Sequence, residues 1–140
     1  MPGFESVAMD LSGGFATYWA SEEPSVPLFQ ENAKQPETPL PTGAWIRLSI
    51  RVVSSYMPEL GSRLTENVGR VTVQVFTPQG EQIGRARELV DKIRNYFQGV
   101  RIGDARCLET ELTVVGPDPA GEPYWQENVS TRFMFERMPA

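Results

Sequence analysis

The stretch VQVFTPQGEQIGRARELVDKIRNYFQ, residues 73–98, changes its hydrophobic period within a single turn. Val71, Val73 and Val75 alternate with polar neighbours, so residues 68–77 are predicted as a strand with one buried face. Beyond Pro78 and Gly80 the apolar residues recur at steps of three and four: Ile83, Ala86, Leu89, Val90, Ile93 and Phe97. That stripe predicts a helix over 80–98 lying on a core, with Pro78 suited to a first helical position and Gly99 to the cap. Glu81 with Arg85 and Glu88 with Lys92 add acid-before-base pairs four residues apart. A phosphate-cradling loop would need converging backbone N–H groups and the lysine and hydroxyl residue of a P-loop. TPQGEQIG has two glycines and neither of those, so it reads as a joint between building blocks.

Outward from this joint the same two periods recur. In WIRLSIRVV, residues 45–53, Ile46, Leu48, Ile50 and Val52 point one way and Trp45, Arg47, Ser49 and Arg51 the other. The connection SSYMPELGSRLTEN, residues 54–67, carries Pro58 and Gly61 and is read as a long loop. Long connections in compact domains tend to be functional, and Tyr56, Met57 and Leu60 mark a partner-docking tip on it, near Arg63. Upstream, Phe4, Val7, Ala8, Leu11, Phe15, Tyr18 and Trp19 form a second helical stripe. Gly13 and Gly14 each cost that helix about 1 kcal/mol, so packing must hold it. VPLFQEN, residues 26–32, suits an edge strand with Pro27 near its start, and AKQPETPLPTG, residues 33–43, suits an extended strap. Downstream, ARCLETELTVV, residues 105–115, and ENVSTRFMFER, residues 127–137, alternate as strands. The order helix, strand, strand, strand, helix, strand, strand predicts an α+β two-layer sandwich. Its mainly antiparallel sheet has four to five strands, with two helices packed on one face of a single domain spanning 1–140.

Composition removes several kinds of chemistry. Histidine is absent and Cys107 is the only cysteine, which excludes disulfides, cysteine-rich zinc sites and nucleophile–histidine triads; no metal or cofactor is expected. Cys107 falls in a predicted strand and reads as a small packing residue. The first fifteen residues have no lysine or arginine, unlike the head of a secretion signal, and no apolar run nears the roughly 20 residues that span a bilayer. The formal charge of −5 disfavours wrapping of phosphate backbones, although an acidic body can lie beside DNA without gripping it. Arg70, Arg85, Arg87 and Arg94 are interleaved with acids and make no basic stripe.

Glu109 and Glu111 share a strand face, as a carboxylate pair for acid–base work would, which supplies one reading, a small hydrolase. Arg47, Arg51 and Arg132 are expected on neighbouring polar faces, so an interfacial ladder of opposite charges, each pair contributing about 0.2–1 kcal/mol, explains the same residues better. A half-polar sheet with exposed edges calls for something to occupy them, and copies of the same chain are a common solution.

In arrangement the chain resembles the tail terminator proteins of long-tailed bacteriophages. The resemblance follows chain order: the amphipathic first helix, VPLFQEN, the proline strap into GAWIRLSI, then NVGRVTVQVFTPQG, GRARELVDKIRNYF, and a late VVGPD and YWQENVSTRFMF pair. Trp45 followed by Arg47, Gly69 ahead of strand residues that end in a turn with Gly80, and Tyr124 with Trp125 are especially similar. The resemblance implies structural work without an active site. A hexameric ring at the tail–neck junction of the virion, assembled in the host cytoplasm, stops addition of the major tail tube protein and docks head-completion proteins. DNA passes through its lumen without specific binding. A different neck protein of related fold is the nearest alternative. On this reading Arg47, Arg51, Tyr56, Met57, Leu60, Arg63, Glu109, Glu111 and Arg132 are the candidate subunit or partner contacts.

Overall fold

The computed structural model describes residues 3–30, 43–56, 65–80, 83–117 and 124–137. Helix α1 (Phe4–Glu22) leads into β1 (Leu28–Gln30), β2 (Trp45–Tyr56) and β3 (Thr65–Pro78). Helix α2 (Ile83–Phe97) is followed by β4 (Arg101–Ile102), β5 (Ala105–Pro117) and β6 (Tyr124–Arg137). The strands form one curled, half-barrel sheet in the order β1-β2-β3-β6-β5-β4. Among the described residues only β1 and β2 pair in parallel. A parallel pair needs a returning connection of about a dozen residues, and the sequence between β1 and β2 has that length.

The α+β class agrees with the sequence reading, whereas the strand count does not: there are six strands in place of four or five. The extra one, β4, has two residues, too few for any period to be read. It pairs with Ala105 and Arg106 across a turn in which Gly103 takes φ +57°.

Register explains which residues meet. Ile46, Val75, Glu127 and Val114 lie in one row across β2, β3, β6 and β5; Leu48, Val73, Val129 and Leu112 form the next; Ile50, Val71, Thr131 and Thr110 the next. These rows occupy the face that the helices cover. Val7, Leu11, Phe15 and Trp19 of α1 and Leu89, Val90, Ile93 and Phe97 of α2 are buried in one cluster with Ile46, Leu48, Val71, Val73 and Val129. Both stripes read from the sequence therefore reach the core, except that Phe4 is partly exposed and the Ile83 side chain lies outside the described residues.

Three boundaries move. Pro78 ends β3 instead of starting the helix, and α2 begins at Ile83, after a turn in which Gly80 takes φ +94°. Gln79 Nε2 donates to the Tyr124 carbonyl at 3.2 Å, tying that turn to β6. Both described ends of the loop expected over 54–67, residues 54–56 and 65–67, are paired strand. Ser54, Ser55 and Tyr56 pair with Val68, Asn67 and Glu66, after a bulge between Val52 and Ser54 that shifts the alternation and hides it from a period-two reading. Tyr56 is thus a strand residue, while Met57, Leu60 and Arg63, like most of the proline strap, lie outside the described residues.

The two helices are joined by charge as well as by packing. Glu23, just past the end of α1 and almost fully buried, accepts from Arg85 Nη1 and Nη2 at 3.2 and 3.0 Å and from Lys92 Nζ at 2.6 Å. Arg85 first, and then Lys92, outweigh the opposing effect of burial and hold the Glu23 carboxyl below the usual carboxylate range. Glu23→Gln leaves both cations without their shared anion. Because Arg85 and Lys92 remain about one-third exposed, the expected loss is about 2 kcal/mol at neutral pH, less than that for a fully buried pair. A folded-state pKa below the unfolded value gives stability that is present above the unfolded pKa and lost as pH falls through the folded one. The wild-type advantage over Glu23→Gln should therefore shrink progressively below about pH 4.5, as measured by urea unfolding along a pH series.

Candidate functional site

The sheet face away from the helices carries most of the singled-out residues. At one end Trp45 and Phe76 stack at 4.1 Å between ring centroids, with Phe29 edge-on to Trp45 at 5.6 Å and Tyr124 edge-on at 6.0 Å. The Arg47 guanidinium lies over this pair, 5.4 Å from the Trp45 ring and 5.8 Å from Phe76, and donates to Gln74 Oε1 at 3.4 Å. Further along, the hydroxyls of Thr72 and Ser130 are 3.3 Å apart. Then comes a row of three guanidinium-bearing residues, Arg51, Arg70 and Arg132, in direct register across β2, β3 and β6.

Like charges opposite each other on adjacent strands destabilise a sheet, and β5 supplies the counter-charge. Glu109 Oε1 is 3.1 Å from Arg132 Nη2, and Glu111 Oε2 is 3.5 Å from Arg70 Nη1, which also donates to Ser130 Oγ at 3.1 Å. Arg51 donates to the Ile50 carbonyl at 3.3 Å and stays exposed. The structure thus brings Glu109, Glu111 and Arg132 together with Arg51 nearby, sets Arg47 four residues before Arg51 on β2, and places Tyr56 at the hairpin stem.

As chemistry, this face is poorly suited to hydrolysis. The Glu109 and Glu111 side chains are 61% and 66% exposed on an open sheet, and acid–base catalysis by a carboxyl pair relies on environments that exclude water from one member. A cleft of about 230 Å³ lies elsewhere, lined by Glu66, Arg101, Asp104, Arg106, Met134 and Glu136, without either residue. Cys107 is buried, and burial pushes its thiol up to about 11, so it is a packing residue with little thiolate at neutral pH. Among the described residues no group of three or more metal-ligating side chains is placed to hold an ion, and no helix is long and apolar enough to cross a membrane.

Several contacts escaped the sequence reading. Glu127 stands in a core row yet is almost fully buried: Arg87 Nε reaches Oε1 at 2.8 Å and Trp125 Nε1 donates to Oε2 at 3.2 Å. The converse holds on β5, where Leu112 and Val114 continue core rows but are 47% and 51% exposed, because neither helix extends over them. At the other margin of the same face, α1 and β2 leave a groove of about 420 Å³ lined in part by Phe4, Ala8, Met9, Leu48 and Ile50. Alternation indicated the face in each case; it carries no information on how far a helix reaches.

A curled sheet with a helical layer on one side, a charged ladder on the other and apolar surface left at its margins defines an assembly module, a protein whose surfaces are built for other proteins. The family model for phage tail terminator proteins matches residues 11–133, and the chain belongs to that family. It is accordingly a structural protein of the phage tail. A solved structure covering all of both chains superposes with a TM-score of 0.70 at 14% sequence identity, which establishes the shared fold. No curated protein matches the sequence significantly.

Proposed function

We propose that the protein closes the phage tail tube as a homomeric ring of six copies. One side of the ring stops addition of the major tail tube protein and the other docks a head-completion protein. Membership of the tail terminator family across residues 11–133 carries this reading. It is supported by the β5 edge from Glu109 to Pro117, which pairs with nothing among the described residues, and by the charged outer face, where the exposed Glu109–Arg132 and Glu111–Arg70 pairs lie with Arg47 and Arg51 on the same face. The connection 54–67, with Tyr56, Met57, Leu60 and Arg63, is proposed to reach a neighbour or the tube. DNA passes through the lumen without specific contacts, in keeping with the net acidic chain.

The test is the length of tails assembled without the protein. Electron microscopy should show tubes that overrun the normal length, and added purified protein should restore it. Tails of normal length in its absence would rule termination out and leave a neck role to be sought.

A further inference from the structure

We infer that successive copies join head to tail across the two margins of the sheet, with Leu112 and Val114 of β5 in one copy seated in the groove between α1 and β2 of the next. This contact deepens, and rests on, the ring reading just proposed. Leu112 and Val114 lie on the helix-bearing face at the β5 margin, about half exposed. The groove, with Met9 67% and Phe4 37% exposed at its rim, lies on the same face at the β1–β2 margin. Strands β3 and β6 separate the two features, so the knobs of one copy are held at the opposite margin from its own groove. Only a second copy presents that groove to them.

Three further features favour a second copy as the occupant. The first is charge: beside the knobs, on the outer face, β5 presents exposed Glu109 and Glu111, and beside the groove, on the outer face, β2 presents Arg47 and exposed Arg51. Seating the knobs sets Glu109 and Glu111, more than half exposed beyond their pairs with Arg132 and Arg70, beside Arg47 and Arg51 of the next copy. The second is strand direction. β2, β3, β6 and β5 alternate along the sheet, so β5 runs opposite to β2, and rotation about a ring axis preserves that relation. β1 lies outside β2 at Ile46–Leu48 and runs parallel to it, so the neighbour's β1–β2 margin arrives antiparallel to β5 and continues the alternation. The third is accessibility of the β5 edge. β4 pairs with Ala105 and Arg106, and Val100 and Gly99 bond to Cys107 and Leu108. Among the described residues nothing pairs with the outer edge from Glu109 to Pro117. The contact is heterologous, and a heterologous contact that closes on itself makes a ring.

Two single-surface variants test it: Leu112→Asp with Val114→Asp, and Met9→Asp. Leu112→Thr with Val114→Thr, which keeps strand propensity, guards against loss of fold, and unchanged thermal melting checks all of them. Sedimentation velocity on wild type should show rings, in solution or bound at the ends of purified tubes. Each variant alone should lose association on the order of a hundredfold or more. An equimolar mixture of the two should form dimers that grow no further, because one intact knob meets one intact groove. Rings that persist in either variant, or a mixture that stays monomeric, overturn this contact and leave the ring reading standing. Wild-type protein that is monomeric both in solution and at tube ends overturns the ring reading, and this contact with it.

Discussion

Phe15→Ala should lower stability by about 3–5 kcal/mol and the melting temperature by roughly 10–20 °C, the largest effect expected of any single truncation in the chain. Phe15 is completely buried where α1 crosses the end of α2. Its ring stacks on Phe97 at 5.2 Å and on Trp19 at 5.6 Å, and meets Tyr96 edge-on at 5.6 Å. These neighbours are held in turn. The Trp19 indole N–H donates to the Val26 carbonyl at 3.0 Å, and Tyr18 Oη donates to the Lys92 carbonyl at 2.9 Å. Large rings fixed by hydrogen bonds relax little into a vacated space, so the cavity term of the loss remains nearly whole. The measurement is a urea midpoint at unchanged slope. Ser6→Ala, exposed on the same helix and outside the groove, serves as the control and should stay within about 0.5 kcal/mol of wild type. A Phe15→Ala loss below about 1.5 kcal/mol would mean that the helices collapse together after truncation, contrary to the locked packing described above.

That aromatic cluster also shows why parts of the fold could be read from the sequence. Val7, Leu11, Phe15 and Trp19 keep a strict helical spacing, and so do Ala86, Leu89, Val90, Ile93 and Phe97; their burial follows from spacing alone. The strand centres around Leu48, Val73 and Val129 follow from alternation in the same way. Gly14 did not. It looked like a defect in a helix, yet a Cβ there would lie 2.6 Å from Tyr96 Oη, so the glycine leaves room for the outer end of the Tyr96 side chain from α2. Gly13 has open space around it, and nothing in the structure explains it.

The ion pairs illustrate a different limit. Spacing along α2 indicated that Glu88 faces Lys92, and they lie 3.8 Å apart. It gave no hint that Arg85 and Lys92 both turn to Glu23, more than sixty residues earlier in the chain, because long-range partners leave no local period. The same holds for the candidate site. Each polar face could be read strand by strand, but the row of Arg51, Arg70 and Arg132 exists only once the register is known.

Gly69→Ala should cost about 2–3 kcal/mol, although it adds a single methyl group to a strand that otherwise favours larger residues. Gly69 lies between Val52 of β2 and Phe133 of β6. The completely buried Phe133 ring occupies the space above it, and a Cβ would fall inside contact distance of both that ring and the Arg51 carbonyl oxygen. The ring could shift, but the carbonyl belongs to a paired backbone and moves only if β2 moves with it. This row is also where the sheet bends, since β2 bulges between Val52 and Ser54 and β5 between Cys107 and Thr110 on either side of it. A glycine between two bulges lets the strands curl without a side chain wedged into the turn of the sheet. A double-mutant cycle separates the two obstacles. With Phe133→Leu in the background, Gly69→Ala should be milder by about 1 kcal/mol, and the part that remains reports the carbonyl. Equal stability of Gly69→Ala and wild type would show that the ring and β2 both yield freely, and the bend would then need another cause.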